Sequence, residues 1–403
     1  MNTIRQPRPL LTGFSVYKGL GSSIYALFAI RVINRFGDFV QLLLVLILTV
    51  RLGLSPKDAG IFVSASIIAT MVGQMSIGMA ADKWGKKPLL VLCQVMVSLS
   101  YLFCALLVVV RPNLIPYLIL AASPFRGGTA PLTNTMVAEF SPQGRLSHSF
   151  SLLYLGTNIG VALGPMVASL LFARSLLLLF AISAVLLSLS TLLLLMTVPN
   201  RHAPERPSKE MQQARVHIPP ILWLFFIFNA LYTLTYGQNS FTLPLQFNSL
   251  YGDVLGASRY AKLMMVNAVV VLVCTTLLTA WTHRLGQLVS MAVALFLYVA
   301  GYLVYAFCSS FSLFLVATCI WTLGEILMAT NSNVFLNVYA HERIRSQCNA
   351  WMHVFSSLGH SLAPALGGLV LLDTGYRQLW LLACGICFLL GCGYIALNKY
   401  LKS

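Results

Sequence analysis

Apolar stretches of eighteen or more residues recur along almost the whole chain, from Ile24 to Leu397. As helices, each is long enough to cross a hydrocarbon layer about 30 Å thick. Inside such a layer the backbone must satisfy its own hydrogen bonds, so only helices or a closed barrel are open to these segments. Barrel strands would show short alternating runs, and none occur. The expectation is an all-α integral membrane protein with twelve transmembrane helices, at about 24–50, 57–81, 88–110, 113–138, 148–172, 175–198, 221–248, 259–282, 286–308, 311–339, 347–371 and 378–399. The composition agrees: 58% of residues are hydrophobic and 9% charged, where a soluble domain averages about 25% charged. The first run is too long and too rich in arginine for a signal peptide, so no targeting segment is set aside.

The formal net charge of +16 raises nucleic acid as a partner, and the placement of the charge argues against it. Sixteen lysines and arginines fall on one side of the expected spans, seven on the other and three within them. This is the positive-inside bias, and it places both termini in the cytoplasm of a multi-pass protein of the cell (inner) membrane. The lipid bilayer, not nucleic acid, is the partner read from the charge. The nine cysteines lie in or at the ends of apolar spans, and Cys384-x-x-Cys387 reads as core packing in preference to a metal or redox site. No cofactor and no metal is implied. No Ser/His/Asp set or paired carboxylates stand out, so no enzyme is expected, and no Gly-x4-Gly-Lys-Ser/Thr loop supports direct drive by ATP.

One long polar segment interrupts the pattern. Residues 200–220 carry Pro204, Pro207, Pro219 and Pro220 among charges and read as a cytoplasmic linker. The resulting organisation is a tail at 1–23, a six-helix bundle at 24–199, the linker, a second six-helix bundle at 221–399 and a tail at 400–403. An offset near 200 residues relates the halves. Gly37-Asp38 matches Gly237-Gln238, Gly160-x3-Gly164-Pro165 matches Gly359-x3-Ala363-Pro364, and Arg126 falls opposite Glu325. Gly78 to Gly85 also aligns with Thr279 to Gly286. Such paired repeats are how many secondary transporters build a site near the midplane.

A charged residue at the centre of a membrane helix costs roughly 2.5–3.5 kcal/mol on insertion scales, so such residues face a cavity or a partner. The first span carries Arg31, Asn34, Arg35, Asp38 and Gln41, spaced to share one helical face. Asp38 can pair with Arg35 on its own helix or with Arg126 of span 4. Glu325 in span 10 is the one acid of the C-terminal spans and has no evident cation near it. Acids held away from water are candidates to carry protons, which nominates Asp38 and Glu325 for proton coupling. Span 7 adds Tyr236, Gln238 and Asn239, and span 11 adds His353, Ser357 and His360. These neutral groups either line a cavity or bind neighbouring helices. The expected substrate cavity is Arg31, Asn34, Arg35, Arg126, Tyr236, Gln238, Asn239 and His353.

Between spans 2 and 3, Gly78-x3-Asp82-x2-Gly85-Lys86-Lys87-Pro88 resembles the signature loop of the major facilitator superfamily. Arg126-Gly127-Gly128 resembles the family's span-4 arginine motif. Gly156-x3-Gly160-x3-Gly164-Pro165 resembles the span-5 motif of its proton-coupled antiporters, and Trp321-Thr-Leu-Gly324-Glu325 is similar to the drug:proton antiporter branch with twelve helices. The resemblance implies two pseudo-symmetric six-helix bundles that move a small molecule by alternating access, in exchange for protons. It implies a conformational latch at Gly78, Asp82, Gly85, Lys86 and Lys87, and a hinge at Gly156, Gly160, Gly164 and Pro165. The expected function is export of a small amphiphilic or drug-like compound by a monomer. The alternative is transport of an anionic metabolite or siderophore, suggested by three intramembrane arginines against two acids. A transport-dead sensor or scaffold is the remaining reading, and it fits less well because the latch and the buried charges are retained.

Overall fold

The computed structural model describes residues 17–200, 218–282, 285–341 and 344–401. Among these the chain is helical throughout, with no β-strand. The first span begins as α1 (Ser22–Phe36), breaks at Gly37–Asp38, and continues as two short helical pieces and a π-helical turn, Ile47–Arg51. The remaining spans are α2 (Pro56–Trp84), α3 (Lys86–Val110), α4 (Ile115–Phe140), α5 (Leu146–Arg174) and α6 (Leu176–Thr197) in the first half. The second half holds α7 (Pro220–Tyr251), α8 (Asp253–Thr282), α9 (Gln287–Phe307), α10 (Phe311–Tyr339), α11 (Arg345–Asp373) and α12 (Tyr376–Tyr400). Eleven spans are long and apolar enough to cross a membrane. The span left out is α4, whose 26 residues suffice in length but include Arg126, Asn134 and two internal prolines. The polar linker expected at 200–220 lies almost wholly outside the described residues.

Local sequence explains how the helices start and turn. Ser55 caps α2, accepting from the Asp58 backbone N–H at 3.1 Å, with Pro56 in the first turn where its missing N–H costs nothing. Gly85 (φ 85°) and Gly286 (φ 78°) turn the chain into α3 and α9 in a left-handed conformation that any side chain would strain. These two glycines occupy equivalent places in the two halves.

The packing repeats as well. In the first half α1 packs on α5 and α6, α2 on α4, and α3 on α4 and α6. Six helices later α7 packs on α11 and α12, α8 on α10, and α9 on α10 and α12. Across the halves, α2 meets α11 and α5 meets α8, a pair of contacts that the same exchange interconverts. The molecule is therefore two pseudo-symmetric six-helix bundles. Their outer surface is apolar, with Leu277 and Leu389 each 70% exposed, as befits helices whose surroundings are lipid.

The two cores differ in chemistry. In the C-terminal bundle Tyr298, Tyr302, Tyr305, Trp321 and Trp380 stack and bury completely or nearly so. Their polar tips are satisfied within the bundle: Trp321 donates to the Tyr305 hydroxyl at 2.8 Å and Trp380 to Gln246 at 2.7 Å. The N-terminal bundle instead encloses arginines. The halves join near the start of α2 and the end of α11, where Ala365 N–H donates to Ser64 Oγ at 3.0 Å and Val45 packs with Phe241 and Leu245.

Candidate functional site

A cavity of about 530 Å³ lies between the bundles, walled by the break in span 1 and by α2, α4, α5, α7 and α11. It adjoins a recess of about 290 Å³ within the N-terminal bundle. Arg35, Asp38 and Arg126 line both and so stand at their junction.

The break in span 1 positions the acid. Gly37 ends α1, and Asp38 leaves the helical conformation, which turns its carboxylate toward α4. Arg126 donates to Asp38 Oδ2 at 3.0 Å, and Arg35 Nη1 lies 3.9 Å from the same oxygen. About a quarter of each partner in the Arg126–Asp38 pair is exposed, so the pair meets the cavity while remaining largely desolvated. Gly127 lets α4 reach this position, because a Cβ there would collide with the Thr70 carbonyl of α2. The expected single face of span 1 is thus corrected in form: the helix does not run through. Arg31, Asn34, Arg35 and Asp38 nonetheless line one recess, and Gln41 lines the larger cavity beyond the break. Arg31 is buried and donates to Asn134 of α4 at 2.6 Å.

Glu325 is held differently. Tyr236 of α7 donates to one carboxylate oxygen and Asn267 of α8 to the other, each at 2.7 Å. The acid therefore has two neutral donors and ties three helices together. It does not line the cavity; Tyr236 separates it from His360, whose ring lies 5.6 Å from the tyrosine ring and which faces the cavity.

Four residues expected to line the cavity are placed elsewhere, the first being Tyr236, which is bonded to Glu325 behind the cavity wall. Gln238 donates to the Ala363 carbonyl at 2.8 Å and accepts from Thr242, and Asn239 donates to Tyr302 at 2.9 Å, so both are buried links between helices. His353 is exposed on α11, and the histidine of that helix that reaches the cavity is His360, two turns on. Asn134 and Asn267 went unnoticed in the sequence. Each is an amide in a membrane span, Asn134 two helical turns beyond Arg126 and Asn267 between Val266 and Ala268.

The glycines of α5 press against α1. A Cβ on Gly156 would meet the Phe28 ring, and one on Gly160 would meet Arg35 and the Phe36 backbone, while Gly164 and Pro165 line the cavity. At the α2–α3 turn, Lys86 forms an ion pair with Glu139 of α4. Lys87 donates to the Leu195 and Val198 carbonyls at the end of α6, at 3.1 and 2.5 Å, where a cation also complements the helix dipole. Gly78 faces open space. The side chain of Asp82 lies outside the described residues.

Two related helical bundles around a charged central cavity define a solute carrier. The chain belongs to the Major Facilitator Superfamily, which it matches over residues 27–364. It is similar to the uncharacterized MFS-type transporter YhjO of Bacillus subtilis (strain 168), with 23% identity over 261 residues, a match spanning 64% of each chain. It is also similar to a Na(+), Li(+), K(+)/H(+) antiporter of Planococcus maritimus, with 24% identity over 341 residues, 76% of this chain and 80% of that one. Among solved structures, the nucleoside transporter NupG superposes with a TM-score of 0.75 at 18% identity, covering 94% of this chain and all of that one. An auto-inhibited POT family peptide transporter gives 0.78 at 14% identity, covering 94% and 97%. At such identities the likeness to the solved structures is one of fold.

Proposed function

We propose that this protein exports a small amphiphilic compound from the cell in exchange for protons, acting as a monomer in the inner membrane with both termini cytoplasmic. The observation that carries the reading is the placement of Asp38. It sits at a helix break on the wall between cavity and recess, its carboxylate shared by Arg126 and Arg35. Protonation would cancel the charge that holds Arg126 across α1 and α4, and would free the arginine to face a substrate. Glu325 is the second proton carrier. As a carboxylate it accepts from Tyr236 and Asn267; protonated, one oxygen becomes a donor, and the link to α8 is rearranged. α8 is one of the helices that meet the opposite bundle, so this acid is placed to influence how the halves rock.

The antiporter of Planococcus maritimus supports proton exchange as the driving reaction. The excess of arginine around the cavity argues against a metal cation as the cargo. The α2–α3 turn, tied to α4 and α6 by Lys86 and Lys87, is the cytoplasmic latch, and the Gly156–Pro165 run against α1 is the hinge. The test is proton release. Purified protein in weakly buffered detergent solution is titrated with a panel of amphiphilic compounds while an indicator dye follows pH. An active compound should displace protons from the wild type, and Asp38→Asn and Glu325→Gln should each reduce the yield. Compounds that bind tightly without moving any proton would contradict antiport.

A further inference from the structure

The recess within the N-terminal bundle holds an unusual set of buried polar atoms. Arg31 is only 8% exposed, and its Nη2 is engaged by Asn134, but its Nε has no hydrogen-bond partner. Asn34 Oδ1, one turn along α1, is buried and likewise has none. Ser183 Oγ, on the facing helix α6, is a third such atom, in a residue 1% exposed. All three residues line the same space. Buried donors and acceptors are almost always paired, because each orphan carries the full cost of desolvation. Three orphans around one recess mark it as shaped for a polar group.

Charge says which group. The charged residues lining the recess are Arg31, Arg35, Arg126 and Asp38, an excess of two positive charges. The other walls are neutral: Thr70 and Gln74 from α2, Tyr101 from α3, Thr129 and Thr133 from α4, and Ser183 from α6. Asp38 is already held by Arg126, and among the described residues Arg31 has no carboxylate of its own. A guanidinium offers donors only, and a serine hydroxyl can join it in donating to one anionic group. The Asn34 amide can then meet a hydroxyl beside that group. Beyond the junction, Phe36, Phe39, Leu42 and Phe241 give the larger cavity an apolar wall.

We propose that the recess is a carboxylate-binding subsite in which Arg31 and Ser183 hold the acid group of an amphiphilic organic acid and Asn34 Oδ1 accepts from a hydroxyl beside it, with the apolar part lying in the larger cavity. This rests on the transport reading for its role in the cell and narrows the cargo to organic acids, but binding itself can be tested without transport. Two matched pairs serve as probes: salicylate against salicylamide, and lactate against lactamide. In each, size and hydroxyl are kept while the charge is removed. Thermal unfolding of the full-length protein in detergent should show stabilisation by the acids and not by the amides. Arg31→Gln should weaken binding of the acid roughly tenfold or more, the loss expected for a charge-assisted hydrogen bond, and should erase the preference over the amide. Should Arg31→Gln fail to fold, Ser183→Ala is expected to narrow the same preference, while Asn34→Ala, which removes the acceptor for the hydroxyl that acid and amide share, should weaken both alike. Equal effects of acid and amide, no effect of either acid, or a preference unchanged in the folded Arg31 and Ser183 variants would overturn the proposal. Proton release on adding salicylate, measured alongside, separates the two readings. Selective binding without proton movement contradicts antiport and leaves the subsite standing, whereas proton exchange with compounds lacking an acid group does the reverse.

Discussion

Asp38 and Arg126 form the pair on which the N-terminal half of the site turns. Their oxygen-to-nitrogen distance of 3.0 Å and limited exposure place them between a surface ion pair, worth little, and a buried one, whose loss leaves a charge stranded. Asp38→Asn and Arg126→Gln should each lower the thermal midpoint in detergent, and the double variant should lose less than the sum, with a coupling of roughly 1–3 kcal/mol. Simple additivity would mean the contact is incidental. On the other side of the cavity, Asn267→Leu should reduce proton-driven transport without abolishing folding, because it removes one donor from Glu325 and leaves Tyr236 in place. The charged members of both clusters were legible in the sequence, since a charge in an apolar span is rare enough to point to itself. Their neutral partners were not. An amide in a membrane helix bonds to whichever helix is near, and spacing does not say which, so Gln238 and Asn239 looked like cavity residues while Asn134 and Asn267 drew no notice.

At the scale of elements, the broken first span and the glycine run of α5 are one feature. Of the α5 glycines, Gly160 leaves the least room for a Cβ, against Arg35 and Phe36, the residues just before the chain leaves the helix at Gly37–Asp38. Gly160→Leu should push the helices apart and cost roughly 1–3 kcal/mol of stability, the range for overpacking, with Gly160→Ala milder; thermal unfolding of the two variants measures it. Gly160→Leu with unchanged stability would show that the helices do not need this approach. The helical period correctly grouped Arg31, Asn34 and Arg35. It could not show the break, because Gly237, at the matching place in the second half, sits in an unbroken helix and packs on Ala363. The chain at equivalent glycines is continuous in one half and broken in the other, and the residue that follows bonds differently within its own bundle: Gln238 to the Ala363 carbonyl, Asp38 to the Arg126 guanidinium.

For the molecule as a whole, number and type of helices were readable from hydropathy, and the duplicated packing from the 200-residue offset. The C-terminal bundle's hydrogen-bonded aromatic core was not, since any of its rings could as well have faced lipid. The bundles are held together near Ser64 and Ala365, so a disulfide there should trap the halves. Ser64→Cys with Ala365→Cys is expected to stop transport on oxidation and regain it on reduction, with the wild type, whose nine cysteines are native, as the control. Transport that continues through the cross-link would mean the halves do not separate at this end. The most direct test of proton-coupled alternating access is counterflow in proteoliposomes with and without an imposed pH gradient, comparing the wild type with Glu325→Gln. The gradient should accelerate exchange by the wild type and leave the variant unmoved; wild-type exchange indifferent to the gradient, or a variant that responds as fully as the wild type, would contradict it.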